Sequence, residues 1–363
     1  MRGADITQEN LFTTVCLDKF VPDNHPLRSI RLLFNQAMGR INWLFDTAYS
    51  PLGRESIPPE RLLRAQLLQV LYSIRSERQL MEQMNYNLLF RWFTGLSIDD
   101  VVWDHSSFSK NRDRLLEHTI IPALFEEVVA LAQKKGLLSD DHFSVDGTLI
   151  QAWASQKSFR PKDEDDPDRN EGGRNAESNF HGEKRLNATH ESRTDPEARN
   201  YKKSKNSEAK MAYLGHSLIE NRNGLVVKTK ASLADGYGER ETAIAMLADL
   251  PGEHRKTVGA DKNYDTKGFV ASCRGMNITP HVAQNNKRKG GSAIDARTSR
   301  HEGYKTSTKI RKRVEEPFGW GKTVGLIRQV KVRGLDRVNA VLTMTFIGWN
   351  LTRMVNLQGQ SVQ

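Results

Sequence analysis

Apolar residues recur at helical spacing in the first third of the chain. After Pro58, leucines and valines follow one another three and four positions apart, as on the buried face of amphipathic helices. Ser76 opens a capping-box pattern, Gly95 is placed to end a helix, and Asp104 is placed to begin another. Short helices joined by tight turns favour a helix-turn-helix-like cluster. We therefore predict a helical N-terminal domain over residues 1–136.

Beyond residue 136 the apolar pattern changes from helical to alternating. His142 to Leu149 alternates apolar with polar residues, which predicts a strand with Asp146 on its polar face. Further strands are predicted at Ala212–Ile219, Leu225–Ala231, Thr257–Asp261 and Ile278–Val282, and helices at Glu239–Leu250, Asp265–Met276, Ser307–Gly325 and Arg337–Leu357. This alternation predicts an α/β domain, a mixed sheet covered by helices, over residues 137–357, followed by a tail at 358–363.

The segment from Ser155 to Lys210 interrupts this pattern. Its only apolar side chains larger than alanine, proline aside, are Phe159, Phe180, Leu186 and Tyr201. Charged residues of both signs fill much of the rest, and such a composition buries too little surface to offset its ordering entropy. We predict a mobile, charged surface insertion over residues 155–210.

Positive charge is in excess along the chain. There are 54 Lys+Arg against 44 Asp+Glu, a net charge of +10, which favours a polyanionic partner. Nucleic acid is the first choice and an anionic membrane surface the second. The longest apolar stretch, Ala340 to Leu351, is interrupted by polar residues and falls short of the roughly 20 residues that a spanning helix needs. We expect an intracellular protein, in the cytoplasm with the nucleoid DNA and without a membrane partner.

Two aspartates stand at the ends of predicted apolar strands. Asp146 follows Phe143 to Val145, and Asp261 follows Thr257 to Ala260. A sheet fixes such carboxylates rigidly, and oxygen ligands suit Mg²⁺ or Mn²⁺. A single aspartate at such a position is more often a turn or cap residue, so the pair carries more information than either member.

A third acidic candidate stands in the Ser307–Gly325 helix. Arg311, Glu315 and Lys322 are spaced four and seven apart, which places them within about 40° on one helix face. A row of salt bridges is the alternative explanation of this spacing. The neighbouring Glu316 lies about 100° round the helix, so Glu315 is the stronger candidate.

Basic residues elsewhere are candidates for DNA contact. The helix that begins after Asp104 is predicted to expose Lys110, Arg112 and Arg114, either to DNA or simply to solvent as a charged face. Five further basic residues could add salt-sensitive affinity for phosphates. They are Lys287, Arg288, Lys289, Lys331 and Arg333.

Three blocks of sequence together resemble a known enzyme family. The blocks Ser144–Thr148, Gly259–Tyr264 and Arg311–Gly319 look like the catalytic blocks of DDE insertion-sequence transposases, in the group whose type elements are numbered four and five. In that group the last block reads Y-x2-R-x3-E-x6-K; Arg311, Glu315 and Lys322 match its last three positions, and Thr308 stands at the tyrosine. Phe20 to Leu115 resembles the group's helical DNA-binding domain.

The resemblance implies a fold and an activity. It implies a ribonuclease-H-like fold in which Asp146, Asp261 and Glu315 are the catalytic residues and bind Mg²⁺, with Mn²⁺ as a substitute. Two metals at such a site promote in-line phosphodiester displacement, so water would cut at the element end and the freed 3′-hydroxyl would attack target DNA.

The same resemblance implies partners and leaves two alternatives open. Arg311 and Lys322 would hold phosphates of the element end, and double-stranded DNA, as element end and as target, would be the partner of a self-associated synaptic complex. The first alternative is a ribonuclease-H-like nuclease that only hydrolyses. The second is an inactive DNA-binding regulator derived from a transposase.

Overall fold

The computed structural model describes residues 15–49, 52, 56–162, 186–202, 207–236, 238–287 and 290–360. The described region before the first strand is helical, as the sequence predicts. Its helices are α1 (Leu17–Phe20), α2 (Pro26–Arg40), α3 (Asn42–Ala48), α4 (Pro59–Leu71), α5 (Glu77–Tyr86), α6 (Leu88–Thr94), α7 (His105–Glu117) and α8 (Ile120–Lys134).

Local capping explains where these helices begin and end. The Ser76 hydroxyl accepts a hydrogen bond from the Gln79 backbone N–H at 3.2 Å, which opens α5. The Asp104 carboxylate accepts one from the Ser106 backbone N–H at 2.8 Å, which opens α7. Gly95 ends α6 with φ 91°, in the left-handed region that favours glycine. All three boundary predictions are confirmed.

The remainder of the chain forms a mixed sheet with helices on both faces. The strands of the mixed sheet are β1 (His142–Gln151), β4 (Arg199–Tyr201), β5 (Lys210–Glu220), β6 (Val226–Leu233), β7 (Lys256–Ala260) and β8 (Ile278–Val282). The strands β2 (Phe159–Pro161) and β3 (His190–Ser192) form a separate two-stranded sheet. The helices of this region are α9 (Gly238–Ala248), α10 (Lys267–Gly275), α11 (Ala296–Ser299), α12 (Glu302–Ile310), α13 (Glu315–Thr323) and α14 (Leu335–Gln360).

Strand pairing gives the sheet the order β4-β5-β1-β7-β8, with β6 also pairing β5. The strands β5 and β6 form the predicted hairpin, and β1, β7 and β8 run parallel. Antiparallel strands on one side of β1 and parallel strands on the other agree with the predicted ribonuclease-H-like arrangement. The mixed fold class, with a helical region ahead of the sheet, is confirmed.

Two apolar cores cover the sheet. One is shared with the N-terminal helices, since Phe34 of α2, Leu67 of α4, Ile150 of β1 and Phe346 of α14 belong to a single buried cluster. The other lies under α9 and α10 and includes Val145 of β1. The long helix α14 therefore joins the helical region to the sheet. The same helix continues to Gln360, so the prediction that a tail begins at residue 358 is wrong.

The interpretation of residues 155–210 as a mobile insertion is wrong for their described parts. The strand β4 joins the central sheet beside β5, and β2 pairs β3. Phe159 and Ala198 are fully buried, and the buried Asp195 accepts a hydrogen bond from the Tyr213 hydroxyl at 2.7 Å. Few apolar residues suffice here because the sheet supplies the surface on which they pack. Residues 163–185 and 203–206, with Phe180, lie outside the described residues.

In the part of the chain that the structure describes, no helix combines the length and apolar character that crossing a membrane requires.

Candidate active site

The site lies where two neighbouring strands separate. The strands β1 and β7 pair in parallel only from His142 to Ser144, after which β7 ends and β1 continues along β5. Asp261 directly follows β7, as predicted. Asp146 does not end an apolar run but lies within β1, as the strand predicted from His142 to Leu149 requires, and it pairs with Ser217. Both carboxylates therefore stand at the mouth that opens between β1 and β7.

The third predicted carboxylate is carried by a helical segment that changes geometry. The predicted continuous helix from Ser307 to Gly325 is divided into α12, a 3-10 turn at Arg311–Val314, and α13, which begins at Glu315. The prediction that Arg311, Glu315 and Lys322 share one face of a regular α-helix is therefore wrong in detail, because a 3-10 turn separates Arg311 from α13. Glu315 is nevertheless exposed on the side of Asp146, close enough to act on its charge.

Electrostatics show which acidic groups share the mouth. Burial, first, and the neighbouring carboxylates of Asp261, Glu239 and Glu315 raise the pKa of Asp146 to about 7, against a hydrogen bond from the Gly147 backbone N–H. Like charges that face one another disfavour ionisation in this way. The structure thus brings the three predicted carboxylates together and adds a fourth, Glu239.

Glu239 was missed by the sequence reasoning. It lies in the first turn of α9, where acidic residues are common because they favour the helix N-terminus. Nothing in its local sequence separates it from Glu241 two residues later. Only the packing of α9 across the β5–β6 hairpin turns Glu239 toward β1.

The two basic residues of the last block flank the acidic mouth. Lys322 donates from Nζ to the Thr148 hydroxyl at 2.5 Å, two residues beyond Asp146 on the same face of β1. The Cβ of Arg311 lies 3.1 Å from the position that a Cβ at Gly259 would take, beside β7. Its Nε is buried without a hydrogen-bond partner. Both side chains therefore stand beside the strands that carry the carboxylates.

The prediction that α7 exposes three basic residues is wrong for two of them. Lys110 is exposed. Arg112 is ion-paired with Glu77, and Arg114 stacks over the ring of Tyr49, 4.9 Å from its centroid. These contacts fix α7 within the helical region, so only Lys110 is offered freely to a partner.

A basic groove runs from α4 and α7 to the end of α13. It has a volume of about 760 Å³ and includes Lys322 in its wall. Four exposed basic residues line it, with no acidic ion-pair partner among the described residues: Arg75, Arg328, Lys331 and Arg333. Lys331 also lies over the half-exposed ring of Trp153, 5.1 Å from its centroid. We call this surface the basic groove.

A second, smaller cavity of about 440 Å³ adjoins the acidic mouth on the other side. Glu239 lines it together with Arg240, Lys262 and Lys287. Lys287 therefore lines the same cavity as Glu239. The neighbouring Arg288 and Lys289 lie outside the described residues.

The tightest group of potential metal ligands lies elsewhere. Among the described residues, the only three whose ligand atoms all lie within 4.8 Å of one another are Asp140, Asp141 and His254, all exposed. They precede β1 and β7 and so lie at the other end of β7 from Asp261. The carboxylates of the mouth are more widely spread than these three groups.

Two family models match this chain, one in the helical region and one over the sheet. The family model described as transposase domain (DUF772) matches residues 15–114, and that described as transposase DDE domain matches residues 138–351. The comparison with curated proteins gives no significant match.

Two transposase complexes are among the similar solved structures. A piggyBac transposase synaptic complex with hairpin DNA is 10% identical and has a TM-score of 0.43, over 93% of this chain and 76% of that chain. A Mos1 transposase paired-end complex with the left transposon end is 11% identical and has a TM-score of 0.20, over 83% of this chain and 93% of that chain. The family of this chain follows from the family-model matches and not from these structures. Because the DDE match spans more than half of the sequence, from before β1 into α14, the chain belongs to the transposase DDE domain family and is a DNA-cleaving and strand-joining transposase.

Proposed function

We propose that Asp146, Asp261 and Glu315 bind the divalent cation of this transposase, and that Mg²⁺ is that cation, with Mn²⁺ as a substitute. The observation that carries the proposal is the convergence of these carboxylates on the mouth between β1 and β7, expressed in the raised pKa of Asp146. An all-oxygen, anionic donor set suits hard divalent cations. The like-charge repulsion within the set is what a bound cation would relieve.

The protein's own residues hold the DNA around this site. A bound divalent cation would supply Lewis-acid stabilisation of the charge on phosphodiester oxygens. Arg311, beside Gly259, and Lys322, bonded to Thr148, stand near the strands that carry the carboxylates and would hold phosphates of the element end. Such positioning supplies much of the catalysis of phosphoryl transfer.

The basic groove is the proposed seat of the element end. Its exposed arginines and lysines match the phosphate backbone in charge, and Lys322 connects it to the carboxylates. Lys110 is a candidate for a further backbone contact. Joining two element ends requires two active sites, so we propose that the protein self-associates on DNA in a synaptic complex.

One assay tests this function against its two alternatives. Labelled DNA carrying the flanking terminal repeats is incubated with the protein and Mg²⁺, Mn²⁺ or a chelator, in the presence of a target plasmid. Metal-dependent nicking with joined products is expected. Nicking without joined products would indicate a nuclease that only hydrolyses, and specific binding without metal-dependent nicking would indicate an inactive regulator.

The stability of the metal-free protein should depend on the proton held by Asp146. Because its pKa is raised to about 7, the folded state keeps a proton that the unfolded chain releases, so unfolding free energy falls as pH rises between about 4 and 7. Added Mg²⁺ should therefore raise the Tm more at about pH 8 than at about pH 6.

Asp146→Asn is the reference for this experiment. Thermal melts of both proteins in chelator isolate the contribution of this carboxylate from that of other titrating groups. The difference in Tm between wild type and Asp146→Asn should grow as pH rises toward 7. A difference that stays constant with pH would show that Asp146 titrates in its ordinary range.

Removing two charges from the basic groove should weaken binding of the terminal repeats. Lys331→Ala with Arg333→Ala is expected to lower the slope of log affinity against log salt by about 2, because each phosphate contact contributes about 0.9. Lys134→Ala with Lys135→Ala removes the same charge from an exposed site outside the groove and is the matched control. Equal slopes for the two double variants, measured by fluorescence anisotropy, would place the DNA elsewhere.

A further inference from the structure

Glu239 occupies the space that a side chain at position 147 would fill. A Cβ built on Gly147 would lie 2.7 Å from the Glu239 Oε1 and 3.2 Å from its Cγ. The Asp146 carboxylate contacts the same glycine, accepting a hydrogen bond from its backbone N–H at 2.8 Å. The absence of a side chain at position 147 therefore lets Glu239 come up against β1 at Gly147, near enough to act on the charge of Asp146.

A buried histidine is aimed at the same place. His216 pairs with Gly147 across β1 and β5, is fully buried, and places its Nδ1 3.2 Å from the same built Cβ. Its Nε2 is hydrogen-bonded to the Ser232 hydroxyl at 2.7 Å, whereas Nδ1 has no hydrogen-bond partner. A buried polar atom without a partner is costly, and here it lies beside the Glu239 carboxylate.

A second buried polar group lies in the same region. The hydroxyl of Tyr264 is buried without a hydrogen-bond partner. The carboxylates of Glu239, Asp146 and Asp261 all act on it and, after burial, raise its pKa. Two buried polar atoms without hydrogen-bond partners thus accompany Glu239, and one of them, the His216 Nδ1, lies at Gly147 as Glu239 does.

We propose that Glu239 is a fourth carboxylate ligand of the divalent-cation site, approaching Asp146 from the side opposite Glu315. This inference rests on the proposed function. Hard divalent cations take six or more oxygen ligands, so three carboxylates leave positions open. The Nδ1 of neutral His216 is placed to donate a hydrogen bond to Glu239, which would fix the carboxylate's orientation as outer groups do at metal sites.

A purely structural role for Glu239 makes a different prediction. As an acidic residue in the first turn of α9 it would only stabilise the helix through the helix dipole, and its removal would lower the Tm. Glu241 lies in the same turn, is exposed, and shares that role. Glu241→Gln is therefore the matched control, because it removes the same charge from the same turn.

The test measures cation binding and stability in the full chain without DNA. Titration calorimetry with Mn²⁺ should show that Glu239→Gln weakens binding by about tenfold or more, while Glu241→Gln leaves it unchanged. In chelator, Glu239→Gln should melt at a higher temperature than wild type, because a like charge beside Asp146 is removed. The increase in Tm on adding Mn²⁺ should be smaller than for wild type.

A second variant keeps the carboxylate and moves it. Gly147→Ala sets a methyl group against Glu239, and we expect it to weaken Mn²⁺ binding as Glu239→Gln does. Wild-type Mn²⁺ affinity in either folded variant would overturn the inference and leave the three-carboxylate site standing, provided that Asp146→Asn still abolishes binding. If wild type and Asp146→Asn bind Mn²⁺ equally poorly, the proposed metal site itself fails.

Discussion

Asp146→Asn should lower strand cleavage by at least about a thousandfold and leave binding of the terminal repeats unchanged. Asparagine has the same shape, and its Oδ1 can still accept the hydrogen bond from the Gly147 N–H. It cannot carry the negative charge that a cation requires. Because ionised Asp146 is disfavoured in the folded protein, the variant should also be more stable than wild type in chelator at about pH 8. Lost cleavage together with gained stability cannot be explained by misfolding.

The other two carboxylates should behave alike in the same assay. Asp261→Asn and Glu315→Gln are expected to abolish cleavage without loss of end binding. Glu316→Gln is the control for Glu315, because it removes a neighbouring exposed carboxylate from the same turn. Full cleavage by any one of the catalytic variants would remove that residue from the site. Lost cleavage in Glu316→Gln, with Glu315→Gln active, would move the third ligand by one position.

What the sequence predicts well is set by local interactions. The helix boundaries at Ser76 and Asp104 follow from caps whose donors lie two or three residues away. The strand that ends before Asp261 follows from a short apolar run. The hairpin between β5 and β6 follows from its turn, where the Glu220 carboxylate accepts hydrogen bonds from two backbone N–H groups within three residues. In each case the signal and its effect occupy the same few residues.

What the sequence does not predict depends on distant pairs. Asp146 lies at an open mouth because β7 ends while β5 continues along β1, and the sequence of β1 alone does not show where its neighbouring strands end. Arg112 has the sequence context of an exposed residue, but in the structure it forms an ion pair with Glu77 of another helix. Glu239 becomes part of the mouth through a glycine far away in sequence. The composition of residues 155–210 likewise conceals a strand that pairs with β5.

Arg91 is a further example, and its role is structural. In the sequence it is the one charged residue within the apolar helix from Leu88 to Phe93. In the structure it is 3% exposed, and its guanidinium joins the end of α5 to the loop that leads toward α7. It donates hydrogen bonds to the backbone carbonyls of Met84, Asn85, Ser97, Ile98 and Asp100.

Arg91→Met should lower the free energy of unfolding by about 3–5 kcal/mol, because it removes the donor of several buried hydrogen bonds. Methionine fills much of the same space but leaves several carbonyls without a donor, each at a cost of about 1–3 kcal/mol when it stays buried. Urea denaturation should show a lower midpoint with an unchanged slope. Arg78→Met, at an exposed position on α5, should stay within about 0.5 kcal/mol of wild type. A loss below about 1 kcal/mol for Arg91→Met would mean that water replaces the guanidinium.

The effect of Arg91→Met on catalysis should separate scaffold from chemistry. At low temperature, where the variant remains folded, the carboxylates of the mouth are intact and cleavage should continue. On warming, cleavage should be lost together with the folded structure, several degrees below wild type. Asp146→Asn should show the reverse, with no cleavage at any temperature and an undiminished Tm. The two variants together therefore distinguish residues that hold the helical region in place from those that act on DNA.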